Sequence, residues 1–331
     1  MRGSEMGDRW KKAVKPVFLL AVLGVAALLP WLGLQKYQLR VFTLAMAWAV
    51  AAVSLNLVLG YTGQASLAHG AFLGIGGYAF GIFAERLGWN FWPALLMAGL
   101  VPAALGFLVG LPSLRTKGPY FAIVTLCFNV IVFKVFENWT WLSGGYQGQR
   151  VPVPSFLGSR WARYYFMLAA LVLALVVLRM MVKSLLGVTF MSIRSNENLA
   201  EAMGINAFRY KLLSFTVSCF MVGLAGALLA LENGHLDYTI TSYTYSFNLL
   251  VYVLIGGAAT LSGPVVGALG LYYLLERIEK AVGEYRYAIF GLLLIVVIIY
   301  FPRGVAGGVQ QLWDRLKRWW AGRGAEEVVE G

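Results

Sequence analysis

Apolar residues run along this chain in blocks of about 20, separated by short polar, glycine-bearing or basic interruptions. A helix needs about that many apolar residues to cross the ~30 Å of hydrocarbon in a bilayer. The blocks predict spans over 17–34, 39–59, 64–84, 90–112, 118–136, 161–182, 212–231, 246–258, 264–276 and 286–301. The eighth and ninth are short for spans, and together they form one run, Phe247 to Leu275, broken by Gly256-Gly257 and Gly263-Pro264. The break reads as a tight reversal, with a single kinked helix as the alternative. The pattern therefore predicts an all-α polytopic membrane protein of about ten transmembrane helices, with eight as the lower bound.

Composition narrows the class further. Of 331 residues, 60% are apolar and only 13% are charged, against about 45–50% and about 25% in soluble domains. Mean hydropathy is +0.71. Disorder would need low hydrophobicity and high charge. Cys127 and Cys219 both lie inside apolar runs and form no disulfide framework.

Charge then sets orientation. With a cytoplasmic N-terminus and ten spans, most of the 27 Lys and Arg fall on the inner side, including Arg2, Lys11, Arg115, Lys183, Arg194, Lys211 and Arg318. The net charge of +12 thus reads as topology and implies no nucleic-acid partner. Val17 to Leu29 is basic-flanked and apolar, but Pro30-Trp31 follows it in place of a small-residue cleavage site. A retained first helix is expected. The expected organisation is a cytoplasmic basic N-terminus over 1–16 and a permease domain over 17–301. That domain holds an outer loop at 137–160 and a cytoplasmic loop at 183–211. A cytoplasmic tail follows over 302–331. Within the tail, Asp314 to Trp320 is basic and aromatic, which suits an interfacial anchor.

Catalytic signatures are missing. There is no Gly-Lys dipeptide and hence no Walker A phosphate loop, and no HExxH, CxxC or GxSxG. His69 and His235 are the only histidines, so no metal site and no catalytic residues are expected. Any uphill work must draw on nucleotide chemistry in another chain, with no cofactor in this one.

Three segments stand out from the apolar background. Gly60 to Tyr78 (GYTGQASLAHGAFLGIGGY) carries glycines and small polar residues at membrane depth. Gly63, Gly70, Gly74 and Gly76 are candidates for close helix packing. Thr62, Gln64, Ser66 and His69 are candidates to line a pathway, since irregular polar backbone at depth must be buried or face a cavity. Taken alone, His69 reads as a satisfied structural histidine ahead of a proton relay. The second segment, Arg194 to Asn206, predicts a short helix in the cytoplasmic loop, capped by Ser195 and ended by Gly204 in the αL conformation. Glu197 suits the positive end of its dipole, and Leu199 and Met203 share a face. Such a helix is either a ligand for a groove in a partner or an ordinary connector. The third segment, Ile255 to Gly270 (IGGAATLSGPVVGALG), faintly echoes the first at an offset of 194. Gly63 then meets Gly257, Ser66 meets Thr260, and Gly76 meets Gly270. Thr260 joins the pathway candidates, and Gly257 and Gly263 join the packing candidates.

In order along the chain, NLVLGYTGQASLAHGAFLGIGGY (56–78), PSLRTKGPYFAIVTL (112–126), LSGGYQG (142–148), RSNENLAEAMGINAFRYKLLSF (194–215), GGAATLSGPVVGA (256–268) and FPRGVAG (301–307) resemble the high-affinity branched-chain amino-acid permeases of the LivM type. The resemblance covers about 250 residues. One departure is Ala68-His69-Gly70, where the family usually reads Gly-His-Ala. The resemblance implies the permease fold of an ATP-binding-cassette importer, working by alternating access in the bacterial inner membrane with both termini cytoplasmic. It also implies a homologous LivH-type permease, two ATPases that use the ATP, and a periplasmic binding protein. Glu201-Ala202-Met203-Gly204 then matches the family's ATPase-coupling pattern, with Glu197 and Leu199 beside it. The outer loop, with Trp139, Trp141, Gly144 and Gly145, is expected to dock the binding protein. Permeases for urea or short amides share the scaffold. An ion-coupled transporter is the other alternative, and it would need an intramembrane carboxylate at a span centre.

Overall fold

The structure is a computed structural model that describes residues 35–116 and 118–282, together with Gly24, Pro30 and Gly291. The expected spans 17–34 and 286–301, the N-terminal 1–16, the tail over 302–331 and the FPRGVAG segment lie outside the described residues, those single positions aside.

The described chain is a helical bundle. Its elements are α1 (Lys36–Asn56), α2 (His69–Gly81), α3 (Phe91–Ser113), α4 (Pro119–Asn138), α5 (Thr140–Ser143), α6 (Arg160–Lys183), α7 (Leu185–Ser195), α8 (Glu197–Ala202), α9 (Ala207–Asn233), α10 (Tyr243–Gly256) and α11 (Gly263–Val282). One short antiparallel ladder joins β1 (Gln149–Arg150) to β2 (His235–Leu236). Among the described residues, five helices are long and apolar enough to cross a membrane: Lys36–Tyr61, Phe91–Ser113, Pro119–Asn138, Arg160–Lys183 and Ala207–Asn233. The chain is thus an all-α, multi-pass membrane protein, and five of the ten expected spans coincide with helices of that length among the described residues.

Burial sorts the helices into an inner and an outer set. α2 is buried at every residue, and α1 beyond Leu44 and α9 beyond Leu213 are buried at most positions, which marks helices enclosed by others. α2 runs on through a π-helical turn, Ile82–Arg86, and α1 through another, Leu57–Tyr61. α3, α4 and α6 bury only one stripe each. In α3 the stripe is small: Ala94, Ala98, Gly99, Pro102, Ala103, Gly106 and Gly110. This lets α9 approach so closely that a Cβ on Gly106 would sit 2.5 Å from Cys219 Sγ. The outward faces of α4 and α6 expose large apolar side chains such as Ile123, Ile131, Leu173 and Met180. In a bilayer those faces meet lipid or another transmembrane chain, so their exposure is no defect.

Two sequence expectations need correction, and the tight reversal expected near Gly256-Gly257 is present. The span expected at 64–84 begins only at His69, because 62–68 is non-helical and Gly63 has φ +75. The spans at 246–258 and 264–276 are Tyr243–Gly256 and Gly263–Val282. They form a hairpin and not one kinked helix: a Cβ on Gly267 would lie 2.1 Å from the Tyr252 carbonyl and 2.9 Å from Gly256 Cα. Gly257 (φ +115) and Ala259 (φ +60) make the turn. Last, the 183–211 loop is mostly helical. α7 fills Leu185–Ser195 by burying Gly187, Phe190 and Ile193.

Candidate functional site

The centre of the bundle is a buried polar network around the first break. His69 is fully buried, with Nδ1 3.0 Å from Ser66 Oγ and Nε2 2.7 Å from Ser218 Oγ. Ser218 donates its own proton to the Ser54 carbonyl at 2.6 Å. Because the Ser218 proton is used on Ser54, Nε2 must donate to Ser218, and a neutral imidazole then accepts from Ser66 at Nδ1. Thr125 Oγ1 accepts from Leu67 N at 3.1 Å, and Asn129 Nδ2 donates to Leu67 O at 2.8 Å. Asn129 also lies 2.6 Å from Ser246 Oγ, which takes a free N–H of the first turn of α2, Gly70 N, at 2.7 Å. Thr125 and Asn129 of α4 and Ser246 of α10 thus satisfy backbone groups that the break leaves unpaired, as membrane depth demands.

Thr62 is buried and returns its hydroxyl to Val58 O at 2.7 Å. Gln64 is half-buried beside the loop. Ser66 and His69 are therefore in contact, whereas Thr62 is their neighbour in sequence and bonds back to Val58. Thr260 is separate from His69 and belongs to the second break. There its Oγ1 bonds Gly257 O at 2.7 Å and accepts from Gly263 N at 3.0 Å.

The two breaks meet through Asn56. Its Nδ2 donates to Thr260 O at 2.8 Å, and its Oδ1 accepts from Ala259 N at 2.9 Å. A Cβ on Gly60 would lie 2.5 Å from Ala259 N, so the π-helical turn that leads into the first break touches the second break backbone to backbone. Asn56, Asn129, Ser218 and Ser246 were not singled out from the sequence. A lone amide inside an apolar span was the available signal, since such a group must find a partner there.

The glycines are contact points. A Cβ on Gly70 would come within 2.8 Å of Ser242 O, and one on Gly74 within 2.2 Å of Thr241 Cγ2. On Gly76 it would fall 2.2 Å from Gly223 O, and on Gly263 2.5 Å from Gly257 O.

Removing His69 separates its two readings. His69→Leu leaves Ser66 and Ser218 without their shared partner, so thermal stability of the detergent-solubilised protein is expected to fall by roughly 1–2 kcal/mol. Unchanged melting with reduced uptake would instead make His69 a pathway residue.

On the far side of the first break lies the 183–211 segment. α8 is capped by Asn196, whose Oδ1 accepts from Leu199 N at 3.0 Å. Ser195, the expected cap, instead bonds back to Met191 O within α7. Gly204 has φ +85 and turns the chain into α9. Ala200 faces inward, whereas Leu199 is 61% exposed and Met203 77% exposed. Glu201 and Ala202 are exposed beside them. Glu197 does not sit free at the helix start but pairs at 2.6 Å with Lys211, which is buried in the first turn of α9. Arg194, in α7, donates from Nη1 to the Gly60 carbonyl, and its Cγ would lie 3.0 Å from a Cβ on Gly63. One residue of this segment therefore grips the first break directly.

At the other end of the bundle, Trp139 and Trp141 are exposed, Trp141 by 75%. Gly144 and Gly145 both have positive φ and turn the chain so tightly that a Cβ on Gly144 would meet Gly148 O at 2.1 Å. The β1–β2 ladder and a 2.6 Å bond from Arg86 to the Trp141 carbonyl hold this loop down.

Among known proteins, residues 37–298 match the family described as branched-chain amino acid transport system / permease component. The LivM high-affinity branched-chain amino acid transport system permease protein of Escherichia coli is 30% identical, over 87% of this chain and 74% of its own length. Its Salmonella typhimurium counterpart is 29% identical over the same shares. The LivH permease protein of Escherichia coli is 24% identical over 80% of this chain and 92% of its own length. No solved structure matches. A buried, glycine-packed bundle with two facing helix breaks agrees with these matches: the chain belongs to the branched-chain amino acid transport system permease family and is a permease subunit.

Proposed function

We propose that this permease carries branched-chain amino acids across the bacterial inner membrane by alternating access, driven by ATP that separate ATPase chains hydrolyse. The observation that carries this reading is α8. A six-residue helix that points Leu199 and Met203 outward has the form of a ligand for a groove in another protein. The complex would join this chain to a LivH-type permease, two ATP-binding-cassette ATPases and a periplasmic binding protein. The binding protein would rest on Trp139, Trp141 and the Gly144-Gly145 turn. Both termini and the 183–211 segment would be cytoplasmic, and 137–160 periplasmic. Here ATP is a partner's cofactor and this chain holds none.

The coupling path can be followed residue by residue. Closure of the ATPases would move α8. Glu197–Lys211 ties α8 to α9, and Arg194 ties α7 to Gly60. Gly60 packs on Ala259, so a displacement at α8 reaches both breaks. Each nucleotide state shifts the permease only as far as it binds one arrangement better.

The test is uptake of radiolabelled leucine into proteoliposomes holding the assembled complex, with the binding protein outside. Uptake is expected to require ATP on the ATPase side, and the permease alone is expected to show neither ATP hydrolysis nor uptake. ATP hydrolysis by this chain freed of every partner, or leucine uptake driven by an ion gradient alone, would overturn the reading.

A further inference from the structure

A cavity of about 450 Å³ opens at the end of the bundle that carries the β1–β2 ladder, remote from α8. Its volume suits a small ligand. α1, α9, α10, α11 and the 235–242 segment line it. Trp48 of α1 is the hub of an aromatic wall. Its ring lies 5.2 Å from that of Tyr245, 6.4 Å from Tyr252 and 6.5 Å from Tyr272, centroid to centroid. Two carboxylates, Asp237 and Glu276, share the lining with these rings, and among the described residues no lysine or arginine does. Asp237 accepts from Thr239 N at 2.8 Å, and Glu276 accepts from the Tyr37 hydroxyl.

The neighbouring cavity, also about 450 Å³, has the opposite sign: Lys36, Arg40, Arg160 and Arg163 line it, with Glu232. Asn233 lines both cavities and accepts from Arg40 at 3.4 Å. An anionic, π-faced pocket therefore adjoins a cationic one across a single amide.

We propose that the Trp48 cavity is a binding site for a zwitterionic α-amino acid, which places its ammonium between the aromatic rings and Glu276 and directs its carboxylate towards Arg40. This names a site for the substrate class and rests on the function proposed above. The attraction of a cation to ring faces favours the ammonium, and it strengthens as water is excluded. The apolar body of a leucine-like side chain fits against Leu44, Leu229 and Ile240, which complete the lining.

The probe is a cysteine in the cavity wall, Asn248→Cys, in a Cys127→Ser background of the assembled complex, since Cys219 is buried. Its alkylation by a membrane-impermeant maleimide is followed on this chain. Leucine and 3-methylbutylamine are expected to slow alkylation, and 4-methylpentanoate, which lacks the amine, is not. Adding Trp48→Leu, or separately Glu276→Gln, should raise the leucine concentration needed for protection about three- to thirtyfold. The proposal is overturned if leucine leaves the alkylation rate unchanged, if 4-methylpentanoate protects as well as leucine, or if both variants protect like the parent. Uptake by the parent complex is measured in parallel. Its absence would count against the functional reading, whereas uptake without protection would count against this site alone.

Discussion

Replacing Leu199 and Met203 together by Asp is expected to abolish ATP-driven uptake and release the ATPase while the permease stays folded. Both side chains point away from the bundle, and the helix is held from its other face by Ala200, the Asn196 cap and the Glu197–Lys211 pair. The fold loses nothing when they change, but a partner that buries them loses about 1.5–3 kcal/mol each by transfer, less what ordering costs. Copurified ATPase, ATP turnover and leucine uptake should be read on the same preparation. A companion variant, Arg194→Ala, separates docking from transmission. It leaves the outward face of α8 intact but removes the bond to Gly60, so ATPase should stay bound and turn over while uptake falls. Gly204→Val would force a β-branched residue to φ +85 and misdirect the chain into α9 without removing a contact. Full ATPase binding and full uptake in the double aspartate variant would show that α8 is not the coupling element.

Gly76→Leu is expected to prevent assembly of the bundle. A Cβ there would sit 2.2 Å from the Gly223 carbonyl and 2.4 Å from Gly223 Cα. No flexible side chain can yield, so α2 and α9 must part. They cannot part freely, because a Cβ on Gly226 would already lie 1.8 Å from Leu73 O, and Gly223 itself packs on the Ala98 carbonyl of α3. Overpacking costs about 1–3 kcal/mol where side chains can adjust, and three helices in backbone contact leave less room than that. Gly270→Leu is the matched control, since nothing lies within 4 Å of a Cβ at that position. Membrane yield and size-exclusion profile should collapse for Gly76→Leu and hold for Gly270→Leu. Equal yields would show that the α2–α9 crossing does not need the glycine.

Gly76 and Gly270 also show where the internal echo at offset 194 has physical content. At the breaks it does: Gly63 and Gly257, which it pairs, both have positive φ, and Asn56 ties the end of α1, just ahead of the first break, to the second. Farther along the helices it does not, because one glycine is jammed against a backbone and the other is open.

Much was decided by the sequence alone. A bilayer offers no partner to a bare peptide group, so apolar runs of sufficient length become helices whatever surrounds them. This is why the runs at 39–59, 90–112, 118–136, 161–182 and 212–231 match helices in the structure. Glycine at Gly204 and Gly257 marked turns for an equally local reason: positive φ is cheap only without a Cβ. α7 was missed because its eleven residues lack the length of a span and its buried face, Gly187, Phe190 and Ile193, is too short to declare a period. What only the tertiary structure decided is the pairing of polar groups. Asn56 with Thr260, Asn129 with Ser246, His69 with Ser218 and Arg194 with Gly60 are each separated by more than a hundred residues. The apolar runs say that each such group needs a partner. Which partner it meets depends on the order in which close-packed helices lie beside one another, and that is set by small-residue stripes on several helices at once, a property no single stretch of sequence contains.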